Sequence, residues 1–157
     1  MGTLIRLATL EDAATVCAVV RRSIAECCAE DHRNDAALID RWLKNKTVTN
    51  TQAWLENPRA CSVVAEVDGS VVGFGMSQAG EVLLCYLVPE ARFKGLGKSM
   101  LQSLETHASQ SRISRLHLQS TRTALAFYER NGFRQTGPAV SAFGLTAYPM
   151  TKLPASP

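Results

Sequence analysis

Between Tyr86 and Leu104 an apolar run stops at Pro89, a turn of basic residues and glycine follows, and an amphipathic helix begins. The turn gathers Arg92, Lys94 and Lys98 around Gly95 and Gly97. A strand, a glycine turn and a helix start offer unpaired backbone N–H groups to an anion, and the helix dipole adds to the attraction. Without side chains, Gly95 and Gly97 leave the backbone open to close approach. The chemistry predicted is capture of a pyrophosphate in a cradle over residues 92–99, from Arg92 to Ser99. Its donors are the N–H groups of Phe93, Lys94, Gly95, Leu96, Gly97 and Lys98. Gly97-Lys98-Ser99 imitates the end of the P-loop pattern, but Arg92 stands where that pattern needs its first glycine. The dinucleotide pattern G-x-G-x-x-G fails at Met100.

The elements that must hold this cradle are legible from periodicity and turn chemistry. Leu4 to Ala8 alternates as a first strand, and Thr9 with Asp12 has capping-box spacing. Ala13, Val16, Cys17, Val20 and Ile24 recur at helical spacing, predicting a helix from about residue 10 to 28. Residues 29–58 suggest a loop, a second helix around Leu38 to Leu43, and a short turn near Trp54. Val63 to Val67 and Val71 to Met76 flank Asp68-Gly69-Ser70, a strong hairpin signal. Val82 to Val88 is nearly all apolar and predicts a central strand covered on both faces. The cradle helix carries Leu96, Met100, Leu101, Leu104 and Ala108. Leu116 to Leu118 is a short strand, and Ala124, Phe127 and Tyr128 sit on a helix that Asn131-Gly132 closes. Phe133 to Gln135 and Leu145 to Lys152 are the last strands, and Pro154 to Pro157 is a tail.

The 157 residues suffice for one domain, 1–157, with one core. Apolar content of 46% and charged content of 20% are ordinary for a globular protein. A net charge of +3 makes no case for nucleic acid, and the scattered arginines lack stacking aromatics beside them. No apolar stretch is long enough for a membrane span, and Met1 leads straight into a strand-like run without a leader. Five cysteines, an odd number without a C-x-x-C, fit reduced, mostly buried thiols and a cytoplasmic protein. His32, His107 and His117 are scattered, so no metal is expected.

Arg92-x-x-Gly95-x-Gly97 after a strand ending in Val88-Pro89 resembles the acetyl-CoA signature of the Gcn5-related N-acetyltransferase (GNAT) superfamily, [QR]-x-x-G-x-[GA]. Ala124-x-x-Phe127-Tyr128-x-x-x-Gly132-Phe133 fills every fixed position of that superfamily's second block. Ile5-Arg6 with Asp12-Ala13, and Val64 to Glu66 through Val72 to Phe74, resemble its opening and its central hairpin. The resemblance implies an α/β fold of the α+β type. It is a mixed, mostly antiparallel sheet of about seven strands flanked by about four helices, splayed between the fourth and fifth strands. It also implies an acetyl-CoA-dependent N-acetyltransferase acting on a primary amine, in a small molecule or a peptide, by direct attack in a ternary complex. The alternative is a non-catalytic acyl-CoA sensor or scaffold on the same fold. No metal, nucleic acid or membrane partner is implied; a homodimer is common in proteins of this kind.

Roles follow from the resemblance. The splay leaves backbone groups near Leu87 and Val88 for the pantetheine arm and the thioester carbonyl. Tyr128 is the candidate proton donor to the departing thiolate, or else one more core aromatic, while Phe127 is expected to turn into the core. Glu81, eleven residues before Arg92, resembles the catalytic glutamate of the superfamily's histone acetyltransferases; the plainer reading is a solvated turn residue. Many members carry asparagine where this chain has Thr121, whose hydroxyl either contacts pantetheine or caps the helix. Cys85 has no identifiable base and reads as a core thiol. Glu26, Glu30, Asp31 and Asp35 form an acidic patch that would attract a cationic acceptor or simply be solvated. Residues 29–58 and 135–148 are expected to line the acceptor pocket.

Overall fold

The computed structural model describes residues 2–152, so the Pro154 to Pro157 tail lies outside the described residues. In chain order these residues form β1 (Thr3–Leu7), α1 (Ala13–Cys27), α2 (Ala29–His32), α3 (Ala36–Leu43), α4 (Val48–Glu56), β2 (Ala60–Val67), β3 (Ser70–Gln78) and β4 (Glu81–Leu87). There follow α5 (Leu96–Gln110), β5 (Leu116–Ser120), α6 (Leu125–Arg130), β6 (Arg134–Gln135), β7 (Val140–Ala142) and β8 (Leu145–Lys152). The strand order is β1-β2-β3-β4-β5-β8-β6, with β7 paired to β8. Every pairing is antiparallel except β4 with β5. This is the mixed sheet expected, with one strand more (β7) and two short helices more than the sequence suggested.

Alternation along the strands feeds two cores, one on each face of the sheet. Val16, Val20 and Ile24 of α1 pack on Val64, Phe74 and Met76, with Trp42, Trp54, Leu84 and Tyr86 closing around them. On the other face Met100, Leu101 and Leu104 of α5 pack on Val63, Ala65 and Val82, with Cys85, Leu87 and Phe127 beside them. The strand β4 therefore contributes alternate side chains to both cores, as a doubly covered strand must. The Asp68-Gly69 turn has positive φ at both positions, 50° and 83°, the twist a two-residue hairpin needs.

The expected first helix divides. Leu10–Asp12 is a 3₁₀ turn under a Thr9 capping box, and the α-helix proper begins at Ala13. Arg6 ties this corner to the sheet. Its guanidinium holds both Asp12 carboxylate oxygens, at 2.8 and 2.9 Å, and also reaches Glu66 on β2. Those bonds keep the Asp12 carboxyl below its ordinary value of 3.8. A group depressed on folding stabilises above its unfolded value and ceases to as pH falls through the folded one. Asp12→Asn is thus expected to cost about 1 kcal/mol at neutral pH, discounted for partial exposure. Urea unfolding checks this: the gap from wild type narrows as pH falls through about 4 and below.

Candidate active site

The parallel pairing of β4 with β5 extends over only Glu81↔His117 and Val82↔Leu118, after which the two strands part. Which β4 groups face the opening follows from the other edge. The Val88 N–H donates to the Val72 carbonyl at 2.9 Å. In an antiparallel pair bonded and non-bonded positions alternate, so Leu84 and Tyr86 also aim their backbone groups at β3. Those of Cys85 and Leu87 point into the splay. Free backbone at Leu87 agrees with the sequence reading; free backbone at Val88 does not, because its amide completes the β3 ladder, and Cys85 takes that place. The Leu87 carbonyl meets only the Cys27 thiol, at 3.9 Å.

The splay opens into a cleft of about 700 Å³. The end of α1, the β4 edge, the turn before α5, and α6 line it. The turn behaves as its composition predicts. Amides from Phe93 to Lys98 donate no hydrogen bond to any described residue; the first helical bond is Ser99 N–H to the Gly95 carbonyl, at 3.1 Å. No side chain caps the helix. Gly95 occupies the left-handed region at φ 83° with nothing within 4 Å of where a Cβ would stand, so its outer side is open. Phe93 is also left-handed, at φ 63°, and 86% exposed, with the Arg92 guanidinium 4.7 Å from its ring centroid. A run of unpaired amides at a helix start, with Arg92 and Lys98 in the same wall, has the chemistry to bind an oxyanion.

Gly97 differs from Gly95. A Cβ there would come within 2.9 Å of the Phe127 ring. Its bareness serves the seat of an aromatic ring against α5 rather than backbone access alone.

Both aromatics of α6 pack on the core and both line the cleft, with Tyr128 the deeper of the two. Tyr128 is the buried one, 7% exposed, while Phe127 is half-buried along the cleft. The helix is short and sits on α5, so Phe127 finds its partner in Gly97 and Tyr128 points inward against Phe133. Tyr128 still lines the cleft, beside Cys85. Burial holds the Tyr128 phenol well above its ordinary 10.0, with the neighbouring Cys85 and Tyr86 acting in the same direction. Burial likewise pushes the Cys85 thiol up to about 12, against a weaker pull from its hydrogen bond with Tyr128. Both therefore hold their protons at neutral pH.

Thr121 lines the cleft, and its hydroxyl accepts from the Ala124 N–H at 3.1 Å, which is the capping role. Arg92, Phe93, Gly95, Gly97, Lys98 and Leu87 also line the cleft; Val88, Lys94, Leu96 and Ser99 do not. Glu81 lies at the closed end of the splay, paired with His117, and is not in the cleft wall.

The acidic patch is taken apart by the fold. Glu26 pairs with Arg22, and Asp35 caps α3 by accepting from the Ala37 and Leu38 N–H groups. The Asp31 carboxylate accepts from the Arg122 N–H, the Thr123 N–H and the Thr123 hydroxyl, fixing the turn that enters α6. Only Glu30 remains without a partner among the described residues, and it stands in the cleft wall. Asp31→Ala strands two amides beside the cleft and is expected to cost about 1–3 kcal/mol. Thermal unfolding reads this as a fall in Tm of several degrees, with Asp31→Asn recovering part of it.

Sequence reasoning missed Ser23, Cys27 and Cys28, which α1 brings to the cleft, and Tyr86, whose burial raises its phenol's pKa. Burial pushes Cys28 up to about 12. The only signal was position: Ser23, Cys27 and Cys28 stand at the end of α1, and Tyr86 lies on the strand that leads to the cradle. No cysteine is in a disulfide. Among the described residues no group of His, Cys, Asp and Glu could hold a metal ion, and no helix is long and apolar enough to cross a membrane.

The acetyltransferase (GNAT) domain, as a family model, matches residues 28–154. The chain belongs to the GNAT acetyltransferase family. Its cleft and cradle lie within the matched stretch except for the end of α1. A curated relative, the uncharacterized N-acetyltransferase YhfO of Bacillus subtilis (strain 168), is 31% identical over 97 residues, which are 54% of this chain and 65% of that protein. The chain thus matches less than two thirds of that relative's length. Among solved structures, a GCN5-related N-acetyltransferase from Rhodopseudomonas palustris aligns with TM-score 0.86 and 22% identity, over 98% of this chain and 96% of that one. The PaiA N-acetyltransferase of Thermoplasma acidophilum, in complex with coenzyme A, aligns with TM-score 0.82 and 23% identity, over 98% and 99%. Both likenesses are of fold.

Proposed function

We propose that this GNAT protein transfers the acetyl group of acetyl-CoA to the nitrogen of a primary amine, by direct attack within a ternary complex. The observation that carries the reading is the splayed β4 edge running from an uncapped helix start to a buried phenol in one cleft. Bound there, acetyl-CoA supplies an activated acyl carbon and a thiolate leaving group. The amides from Phe93 to Lys98 bind its pyrophosphate, with Arg92 and Lys98 adding charge. Backbone groups of Cys85 and Leu87 hold the pantetheine arm as a strand would, and an N–H there faces the oxygen on which negative charge develops. As the C–S bond breaks, Tyr128 gives its hydroxyl proton to the departing sulfur, which leaves as the thiol, and regains a proton from solvent. Thr121 keeps α6, and so Tyr128, in position. The fold neighbour PaiA is known in complex with coenzyme A, which supports a coenzyme A thioester as the donor.

Glu81 stands apart from the cleft wall, so the amine loses its proton to water or to a nearer group. The partnerless Glu30 is the carboxylate in reach of the cleft. Free thiols throughout support a reducing compartment, the cytoplasm.

Calorimetry with acetyl-CoA, against ATP and NAD as controls, tests the donor site, and thiol release with an amine tests turnover. Selective acetyl-CoA binding followed by amine-dependent thiol release is expected. Binding without release from any amine would leave an acyl-CoA sensor; no binding at high micromolar acetyl-CoA would overturn the proposal.

A further inference from the structure

Beside the main cleft lies a smaller polar concavity of about 100 Å³, bounded by Glu30, Asp31, Arg33, Arg122, Gly144 and Thr146. Glu30 is common to both spaces. The walls come from distant parts of the chain: the end of α2, the turn before α6, and the β7–β8 hairpin. That hairpin is anchored rather than loose. Gly144 sits so close to Leu38 that a Cβ would come within 2.7 Å of its side chain, and the Arg41 guanidinium donates to the Phe143 carbonyl at 3.2 Å.

The charges around this concavity are unequal in what they still have to give. Asp31 is spent on the Arg122 N–H and on Thr123. The side chains of Arg33 and Arg122 make no hydrogen bond or ion pair among the described residues, and neither does Glu30. What remains is one open carboxylate at the border with the cleft and two open guanidinium groups beyond it. A guanidinium presents paired N–H donors that suit the two oxygens of a carboxylate or phosphate.

We propose that the acceptor is an amine that also carries an oxyanion, its nitrogen at Glu30 and its oxyanion between Arg33 and Arg122. This rests on the acetyl-transfer reading above and names the substrate class for it. Glu30 holds the ammonium at the mouth of the cleft, where loss of a proton to water frees the nitrogen to attack. The two arginines fix the other end, so that bound molecules present the amine and not the anion to the β4 edge. Amines with no oxyanion gain only half of these contacts.

Thiol release from acetyl-CoA tests the proposal with a matched panel: α-amino acids, aminoalkyl phosphates, and the methyl esters and decarboxylated amines of the same amino acids. The expected result is that kcat/KM for the best amino acid or aminoalkyl phosphate exceeds that of its neutralised counterpart by about tenfold to a hundredfold. Whichever of the two sets leads identifies the oxyanion as carboxylate or phosphate. In Arg122→Ala and Arg33→Ala the preference falls toward unity through KM, while kcat/KM for the ester stays within about twofold. Neither side chain bonds the fold, and unchanged acetyl-CoA binding by calorimetry verifies an intact donor site. Esters or simple amines used as well as the anionic acceptors would overturn the oxyanion pocket and leave acetyl transfer standing. No thiol release from any amine would overturn acetyl transfer, and this proposal with it.

Discussion

Replacing Tyr128 by phenylalanine lowers kcat by about a hundredfold or more, while the Kd for acetyl-CoA, read by calorimetry, changes little. The argument is chemical and local. A thiolate expelled next to the β4 edge enters the surroundings that hold Cys85 up to about 12. Desolvation there raises the proton affinity of any sulfur, so a departing thiolate is a poor leaving group unless something donates to it. The Tyr128 hydroxyl, which lines that wall beside Cys85, is the donor proposed above. Its own pKa is raised by the same burial, so the phenol enters the reaction protonated. The sign of the shift fixes the pH behaviour: a raised phenol keeps its proton, so wild type has no loss of rate from Tyr128 ionisation below about pH 10. Phenylalanine fills the same space against Phe127 and Phe133, so stability holds. A variant as active as wild type would remove Tyr128 from the chemistry.

The second large effect belongs to Gly97→Ala. The added methyl meets Phe127 at 2.9 Å, closer than ring and methyl can stand. Either α5 or the ring moves, and the ring lies in the cleft wall one residue from Tyr128. Overpacking of this kind costs about 1–3 kcal/mol of stability. Acetyl-CoA affinity is expected to fall by about tenfold or more, because the cradle amides and the ring shift together. Adding Phe127→Leu makes room for the methyl, and the double variant should regain most of the affinity. Calorimetry on the single and double variants separates the two causes: loss without rescue would mean that Gly97 serves the ligand directly and not the ring.

Why some of this was readable in the chain and some was not has physical reasons. The cradle was legible because its chemistry is local: Pro89 stops a strand, Gly95 takes a left-handed turn, and a helix starts uncapped. Strand β4 was legible because an unbroken apolar run has only one comfortable place, the middle of a covered sheet. Residues 29–58 were not, since α2, α3 and α4 are short and each is started or stopped by one or two contacts, such as Asp35 on Ala37 and Thr47 on Asn50. No periodicity accumulates over such lengths. The deeper burial of Tyr128 than of Phe127 was invisible because the Phe127 ring is seated by Gly97 on another helix. The second pocket was out of reach for the same reason. Its arginines and its glutamate become neighbours only when Asp31 takes the Arg122 and Thr123 amides, and the Phe143-Gly144 turn of the hairpin that forms the far wall lacks the usual Asn-Gly or Asp-Gly mark.

The brief seam between β4 and β5 has a bearing on how long the protein survives. With pairing confined to Glu81↔His117 and Val82↔Leu118, the first four strands and the group β5, β8 and β6 are separate ladders. They are held together by α5, α6 and whatever lies between them. A donor lodged along Cys85 and Leu87 supplies the missing rungs and binds only the closed form, so it stabilises by mass action. Proteases cut the open form, whose population falls as the donor accumulates. On the proposed use of the cleft, acetyl-CoA is therefore expected to slow digestion, and limited proteolysis with and without it measures this.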